Sequence, residues 1–177
     1  MAPLGYGRLV QNEYLKSLAM RDVIRVEMVC LGNICRSPMA AAVLANRTSD
    51  WTAPKILVDS AGTSNWHVGE GPNPPSKKTW EAAGYKFDHI ASQMTASRME
   101  KSDLILVMDR SNHRNVLALT EDSNLHSKVH FLRDFDYTIA GDREVPDPYS
   151  LPDSAFEEVL GMVERAVDGL LQELSRS

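Results

Sequence analysis

The chain has 177 residues, 43% of them hydrophobic, and a formal net charge of −5 at pH 7. This length and apolar fraction suit one soluble domain with a sizeable core, and the negative charge excludes a global basic field for nucleic acid. No apolar stretch approaches the roughly 20 residues of a membrane-spanning helix, and Gln11, Asn12 and Glu13 interrupt any signal-peptide core. Two cysteines five residues apart make no disulfide framework. We therefore expect a cytoplasmic protein without membrane insertion or a nucleic-acid partner.

Apolar runs alternate with helical patterns along the first half of the chain. Val23–Leu31 predicts a first strand, Pro38–Arg47 a helix, and Ile56–Ser60 a second strand. Residues 61–75 are rich in Gly, Pro, Asn and Ser and predict a loop longer than a typical connection.

The second half continues this alternation. Ser76–Ala83 and Thr95–Lys101 predict helices, and Leu104–Met108 predicts a third strand. Ser111–Leu119 predicts a helix with its first residue as the N-cap, and Val129–Leu132 predicts a fourth strand.

A long helix is predicted at the C-terminus, over Asp153–Leu174. Its apolar residues form one stripe suited to packing on a sheet: Phe156, Val159, Leu160, Val163, Val167, Leu170, Leu171 and Leu174. Apolar strands separated by helices predict an α/β fold. We expect a single domain with a four-stranded parallel sheet, helices on both faces, and a phosphate-binding loop after the first strand.

The loop after the first strand, residues 30–37, holds the most informative residues. Loop N–H groups and the N-terminus of the next helix converge on one point, where an anion binds. Cys30 begins this loop and Arg36 follows after five intervening residues. The helix N-terminus and the guanidinium favour a thiolate at Cys30, and Arg36 offers a planar fork that matches two phosphate oxygens. The spacing predicts a nucleophile and a phosphate clamp that face the same anion.

Three other residues of this loop suit the same purpose. Gly32 permits a backbone conformation that a side chain would obstruct, and Asn33 tolerates left-handed backbone angles. The Ser37 hydroxyl either caps the helix or donates to the Cys30 sulfur. A lone cysteine is often only a small buried residue, and that alternative stays open for Cys35.

At these residues the chain resembles the low-molecular-weight protein tyrosine phosphatases. Residues 29–40 are similar to their phosphate-binding loop, and Val-Pro-Asp-Pro-Tyr at 145–149 is similar to their general-acid loop. Four segments between these two also match, at residues 59–63, 66–69, 89–95 and 107–112. The resemblance implies a phosphatase for phosphotyrosine-containing proteins and small aryl phosphates, with inorganic phosphate or vanadate as inhibitors. It implies no cofactor and no metal.

The resemblance implies three catalytic roles. Cys30 is the nucleophile that forms a cysteinyl-phosphate, Arg36 is the phosphate clamp, and Asp147 is the general acid and then the general base. An Asp-Pro pair alone is a turn former, so the role of Asp147 depends on the loop at Cys30. Glu144 and Asp142 are nearby acids outside the matching motif.

The resemblance also implies supporting residues. The phosphate-binding loop itself comprises Leu31, Gly32, Asn33, Ile34, Cys35 and Ser37. Of these, Leu31 and Ile34 are expected to supply the apolar floor and rim of the pocket. Ser60 and His89 are implied to join a hydrogen-bond network with this loop, although His89 without a role is the alternative. Asp109 is expected to contact a loop or a helix terminus without a catalytic role. Trp66 and Tyr149 are expected to flank the pocket mouth, with a packing role as the alternative for Trp66.

The chain departs from the family pattern at two places. Ser150 stands where the family often has a second tyrosine, which leaves one wall of the rim smaller and bears on substrate preference. Residues 1–22 form an N-terminal extension to a phosphatase domain at 23–177. Disorder and a peripheral helix are both open for this extension, ahead of a regulatory role. Such a helix would have one face lined by Tyr14, Leu15, Leu18 and Ala19.

Two further functions are alternatives to the phosphatase. Arsenate reductases use a similar oxyanion loop but pass oxidation to cysteines well downstream, and none follows Cys35. A non-catalytic phosphate-binding module is expected to lack Cys30, Arg36 or Asp147, and the chain has all three. Cys35 also makes redox control conceivable, because its thiol can form a disulfide with an oxidised Cys30 if the loop relaxes.

Overall fold

The structure, a computed structural model, describes residues 13–175. Its strands are β1 (Val23–Cys30), β2 (Lys55–Gly62), β3 (Leu104–Val107) and β4 (Val129–Phe131). They form one four-stranded sheet in the order β2-β1-β3-β4, and every pairing is parallel. The predicted α/β fold with a four-stranded parallel sheet is confirmed.

Seven α-helices lie in the described chain outside these strands. They are α1 (residues 13–19), α2 (Arg36–Arg47), α3 (Pro74–Ala82), α4 (Ala96–Lys101), α5 (Arg110–Leu117), α6 (Ser123–His126) and α7 (Asp153–Leu174). A 3₁₀ helix over Leu132–Phe135 follows β4. The short α6 and the 3₁₀ helix were not predicted. β2 is longer than predicted because it pairs with β1 along its whole length, from Val23 opposite Lys55 to Cys30 opposite Gly62.

Both faces of the sheet are covered by helices. On β1, Ile24, Val26 and Met28 point to one face and pack in a cluster with α2 and α7. The opposite face presents Val29 of β1 with the β3 side chains Ile105 and Val107, which pack with α4 and α5. The period of two along each strand thus supplies two separate cores.

Helix α1 contributes to the first of these cores. Leu15 and Leu18 are 1% and 0% exposed and belong to the same cluster as α7. The Tyr14 hydroxyl donates a hydrogen bond to the carbonyl of Asp103. A helix with the expected apolar face is therefore present at 13–19, whereas the expectation for residues 1–12 lies outside the described residues. The domain boundary at residue 22 stays a prediction.

Four helix starts differ from the expectation. Helix α3 begins at Pro74, two residues before the predicted Ser76, and α4 begins at Ala96, one residue after the predicted Thr95. Helix α5 begins one residue early, and its N-cap is Asp109 rather than the predicted Ser111, because Asp109 Oδ1 accepts from the Asn112 N–H at 2.8 Å. Helix α2 begins at Arg36, two residues before the predicted start. The Cys30 loop therefore passes directly into the first turn of α2. Within residues 13–175, no helix is both long and apolar enough to cross a membrane.

A close contact between α7 and the 3₁₀ helix yields a stability prediction. A Cβ at Gly169 would lie 1.8 Å from the Phe135 carbonyl oxygen, so Gly169→Ala must displace backbone. We expect urea denaturation to show a loss of about 1–3 kcal/mol in unfolding free energy, the usual cost of overpacking. Gly161→Ala in the same helix is the matched control, since its Cβ would meet only the flexible end of Arg165 at 3.4 Å. This control should gain up to about 1 kcal/mol in unfolding free energy through helix propensity. Equal effects of the two changes would contradict the close contact between Gly169 and the Phe135 carbonyl.

Candidate active site

The loop between β1 and α2 is shaped by donors from outside it. The carbonyls of Cys30 and Leu31 accept from the N–H groups of Thr63 and Ser64, both at 2.9 Å. The Ile34 carbonyl likewise accepts from the Asn73 N–H at 2.9 Å. The C=O and N–H of a trans peptide point in opposite directions. Because these carbonyls point out of the loop toward their donors, the N–H groups of the same peptides point toward the inside of the loop. The loop thus has the backbone arrangement of an anion site.

The N-terminus of α2 adds to this site. No side chain caps the helix, and its first turn holds no acidic residue. Its free N–H groups therefore remain available to an anion, and the helix dipole favours one there. The Ser37 hydroxyl lies 3.0 Å from Cys30 Sγ, so of the two roles expected for Ser37, the structure places it at the sulfur.

Asn33 lies at the centre of the loop's side-chain contacts. It is fully buried, with φ 56°, in the left-handed region. Its Nδ2 donates to Ser37 Oγ at 2.8 Å and to Ser60 Oγ at 2.9 Å. Its Oδ1 accepts from the Ser92 N–H at 2.9 Å. Sequence reasoning missed Ser92, although it lies in the matching segment 89–95.

His89 contacts the backbone of the same residue. Its Nε2 lies 2.6 Å from the Asn33 carbonyl oxygen, which only accepts, so Nε2 carries the proton. Its Nδ1 lies 3.4 Å from Ser60 Oγ. Burial lowers the pKa of His89, outweighing the hydrogen bond to Asn33, which raises it. The ring is therefore neutral at pH 7, with its tautomer fixed by the loop.

Gly62 is a second residue that sequence reasoning passed over. It ends β2 beside the loop, and a Cβ there would lie 2.7 Å from the Leu31 carbonyl oxygen and 3.1 Å from the Asn33 nitrogen. Only glycine lets the end of β2 approach the loop this closely. The signal was present in the sequence as the glycine of the matching segment 59–63.

Arg36 is 3% exposed and connects the loop to two other parts of the chain. Its Nη1 donates to Asp109 Oδ2 at 2.7 Å and to the Val145 carbonyl at 3.0 Å. Its Nη2 lies 3.7 Å from Asp147 Oδ2. Burial lowers the pKa of Arg36, but Cys30 and the two carboxylates raise it above the ordinary value, so the side chain is always cationic. Asp109 thus contacts a helix terminus, as expected, and also fixes the guanidinium.

A pocket of about 280 Å³ opens over the loop. It is lined by Cys30, Leu31, Gly32, Ile34, Cys35, Arg36, Trp66, His67, Asp147 and Tyr149. Trp66 and Tyr149 are 69% and 54% exposed, whereas Cys30 is 2% exposed, so the aromatic side chains lie toward solvent and the thiol lies deep. The polar depth and aromatic upper walls suit a phosphorylated aromatic ring.

His67 is a pocket residue for which sequence reasoning found no role. Its Nδ1 lies 2.7 Å from Glu70 Oε2, and its ring lies against Gly32, where a Cβ would be 3.1 Å from His67 Cδ2. Any side chain at position 32 would therefore press on this ring.

The acids near the pocket have separate roles. The side chain of Asp147 is 45% exposed, and its Oδ1 accepts from the Tyr149 N–H at 3.1 Å, which orients the carboxylate. Glu144 and Asp142 instead pair with Arg110, at 2.8 and 3.5 Å. Among residues 13–175, no group of three or more His, Cys, Asp or Glu side chains is placed to hold a metal ion.

The second thiol differs from the first in its surroundings. Cys35 packs with Ile34, Ala91 and Phe156, and both cysteines are free. Burial raises the pKa of Cys35 to about 12, with Cys30 and Asp147 adding to the rise and Arg36 opposing it. Cys35 is thus a neutral thiol at pH 7.

Comparisons with known proteins identify the family. The family model for low molecular weight phosphotyrosine protein phosphatase matches residues 25–177. A low molecular weight protein-tyrosine-phosphatase of Streptomyces coelicolor is 43% identical over 83% of this chain and 91% of its own length. The low molecular weight protein-tyrosine phosphatase A of Mycobacterium bovis is 37% identical over 85% of this chain and 91% of its own.

Solved structures agree with this result. The crystal structure of a protein tyrosine phosphatase from Entamoeba histolytica superposes with a TM-score of 0.80 at 33% identity, covering 85% of this chain and 96% of that one. YfkJ from Bacillus subtilis superposes with a TM-score of 0.78 at 32% identity, over 86% and 94% of the two chains. The chain belongs to the low molecular weight phosphotyrosine protein phosphatase family, and it is a protein-tyrosine phosphatase.

Proposed function

We propose that this enzyme hydrolyses phosphotyrosine in protein substrates, and small aryl phosphates, through a cysteinyl-phosphate on Cys30. The observation that carries the proposal is the shared pocket of Cys30, Arg36 and Asp147. A nucleophile lies at its base, a cationic clamp beside it, and a half-exposed carboxyl group at its mouth. These are the groups that phosphate-ester transfer to sulfur and then to water requires.

The first step transfers the phosphoryl group to the enzyme. The loop N–H groups and Arg36 bind the phosphate oxygens, and the Cys30 thiolate attacks phosphorus. The bond from phosphorus to the tyrosine oxygen breaks, and protonated Asp147 gives its proton to that oxygen. The products are a cysteinyl-phosphate and the free tyrosine side chain.

The second step regenerates the enzyme. Water attacks phosphorus, and the Asp147 carboxylate accepts one of its protons. The sulfur–phosphorus bond breaks, and the sulfur leaves as a thiolate that the nearby Ser37 hydroxyl, at 3.0 Å, stabilises as a donor. Inorganic phosphate is released, so phosphate and vanadate are expected to occupy the same site as inhibitors. No step uses a metal or a cofactor.

Arg36 is arranged for the clamp role. Asp109 and the Val145 carbonyl both bind Nη1, which fixes one edge of the guanidinium. The remaining donors, with Nη2 nearest Asp147 at 3.7 Å, supply the fork for a phosphate. The guanidinium is thereby oriented before the substrate binds, which reduces the entropic cost of ordering the Arg36 side chain on binding.

The pocket mouth favours an aromatic ester. Trp66 and Tyr149 provide walls for a phosphotyrosine ring. Ser150 is exposed and has no ring, so it supplies no second aromatic wall. The smaller wall on that side favours substrates that do not depend on a closed ring cage. We place the reaction in the cytoplasm, where two unpaired cysteines stay reduced.

The nucleophile is tested by Cys30→Ser, with p-nitrophenyl phosphate as substrate. A hydroxyl is not ionised at neutral pH, so turnover should fall by about 10³-fold or more. Because the N–H groups remain, phosphate affinity by calorimetry should change by less than about tenfold. Arg36→Lys keeps the charge but loses the fork, and it should weaken both phosphate binding and turnover. Substantial turnover by purified Cys30→Ser would contradict the mechanism, as would a requirement for added divalent cation.

The general acid is tested by Asp147→Asn with two leaving groups. Phenyl phosphate, a poor leaving group, should react about 100-fold more slowly or worse, whereas p-nitrophenyl phosphate should lose less because its oxygen needs less protonation. Glu144→Gln is the matched control, since Glu144 pairs with Arg110 and does not line the pocket. Equal losses for both substrates, or a selective loss in the control, would remove Asp147 from this role.

Redox control is tested at Cys35. A reactive thiolate at Cys30 is oxidised by peroxide to a sulfenic acid. Condensation with Cys35 releases water and forms a disulfide, which dithiothreitol reverses. Because Cys35 is a buried neutral thiol, this step requires the loop to relax. We expect wild type to recover with dithiothreitol and Cys35→Ser to recover much less, while intact mass shows a loss of two hydrogens in wild type. Equal recovery would reduce Cys35 to a packing residue.

A further inference from the structure

The second face of the sheet carries a partly buried ion pair that no step of the proposed chemistry uses. Glu27, in β1, is 5% exposed. Its Oε1 accepts from Arg98 Nε at 2.9 Å and from Arg98 Nη2 at 2.6 Å. Burying the Glu27 carboxylate costs free energy that its pairing with Arg98, whose side chain is 25% exposed, offsets only in part, so fold stability alone gives little reason for this pair.

Arg98 also contacts the backbone that supports the phosphate-binding loop. Its Nη2 donates to the Ser60 carbonyl at 3.0 Å, and that carbonyl also accepts from Ser92 Oγ at 3.2 Å. Ser60 and Ser92 are the two residues outside the loop that bind the side chain of Asn33. A continuous line of contacts therefore runs from Glu27 through Arg98 and Ser60 to Asn33.

We propose that Glu27 and Arg98 form a positioning pair for the phosphate-binding loop. Glu27 fixes the guanidinium, the guanidinium fixes the Ser60 carbonyl, and Ser60 holds Asn33 and, through it, Ser37 at the Cys30 sulfur. Neither residue of the pair lines the active-site pocket, so both act through other residues. The proposal rests on the proposed function, because the reactivity of Cys30 reports the position of the loop.

The pair is open to solvent on its other side. A cavity of about 370 Å³ is lined by both residues together with Arg25, Asp59 and Lys101. Asp59 Oδ2 lies 3.1 Å from Arg98 Nη2 but is largely exposed, so it is a weaker partner than Glu27. Protons from solvent reach Glu27 through this cavity.

Glu27 changes its charge near neutral pH. Burial raises the pKa of Glu27 to about 7 against the opposing effect of Arg98, and Asp59 adds to the rise. The cations Arg25 of β1 and Lys101 of α4 share the same cavity. Above pH 7 an ionised Glu27 holds Arg98 strongly, and as the pH falls below 7 protonation weakens that contact.

The first test replaces the pair without leaving a buried charge. Glu27→Leu combined with Arg98→Met is expected to fold, because apolar replacement of a buried pair is often neutral or stabilising. The rate of Cys30 alkylation by iodoacetamide at pH 8, followed by peptide mass, should fall about fivefold, the effect of losing one hydrogen bond. Turnover of p-nitrophenyl phosphate should fall alongside it. Arg98→Lys keeps a cation for Glu27 but cannot bind Glu27 and Ser60 in the same geometry, and it should show the same loss.

A matched control uses another partly buried Arg–Glu pair. Arg47 Nη2 lies 3.1 Å from Glu164 Oε2, between α2 and α7, without contact to the loop. Glu164→Leu combined with Arg47→Met should leave Cys30 alkylation unchanged. If the double change at Glu27 and Arg98 fails to fold, Arg98→Lys and Glu27→Gln give the same comparison.

The second test uses pH. Glu27→Gln resembles the protonated state of Glu27. The rate of Cys30 alkylation in this variant should therefore be lower than in wild type at pH 8, and the two rates should converge at pH 5.5. The positioning role would be overturned if wild type and Glu27→Gln had the same pH profile of Cys30 alkylation. It would also be overturned by a folded Glu27→Leu/Arg98→Met enzyme with unchanged alkylation and turnover. Turnover that survives Cys30→Ser would instead overturn the proposed catalytic function. The two failures are therefore distinguishable.

Discussion

The shape of the loop between β1 and α2 depends on the buried side chain of Asn33. This residue has φ 56° and is fully buried, so it carries both a left-handed backbone and a desolvated amide. Left-handed backbone costs about 1 kcal/mol, and an unsatisfied buried amide costs more. Three side-chain hydrogen bonds, to Ser37, Ser60 and Ser92, satisfy the amide. They also join the first turn of α2 to the end of β2, and Ser37 Oγ in that turn lies 3.0 Å from Cys30 Sγ.

Arg36 provides the second connection, between the base of the pocket and its mouth. One guanidinium contacts Asp109, which caps α5, and the Val145 carbonyl, which begins the segment that holds Asp147. The Val145 N–H in turn donates to the Met108 carbonyl at the end of β3 at 2.7 Å. Arg36 and the segment of Asp147 are thus attached to the same carboxyl end of the sheet.

Long, periodic elements were predictable, and short or competing ones were not. The eight apolar residues of α7 repeat with helical spacing, and that helix is found with the bounds predicted, Asp153–Leu174. Helix α6 has four residues, too few to show a period. At α5, both Asp109 and Ser111 are good N-caps by residue type. Tertiary contacts decided for Asp109, because its second carboxylate oxygen binds Arg36.

By itself, the sequence determined the strand–loop–helix at Cys30 and the composition of the candidate anion site there, because those features lie within a few adjacent residues. Only the tertiary structure decided what supports the loop. Ser92 lies 59 positions from Asn33, and Arg98 lies 71 positions from Glu27. A serine or an arginine has many potential partners, and residue type does not select among them. The packing of β2 and the segment before α4 against the loop makes that selection, because a buried polar group must find its partner among the groups that the fold brings within reach.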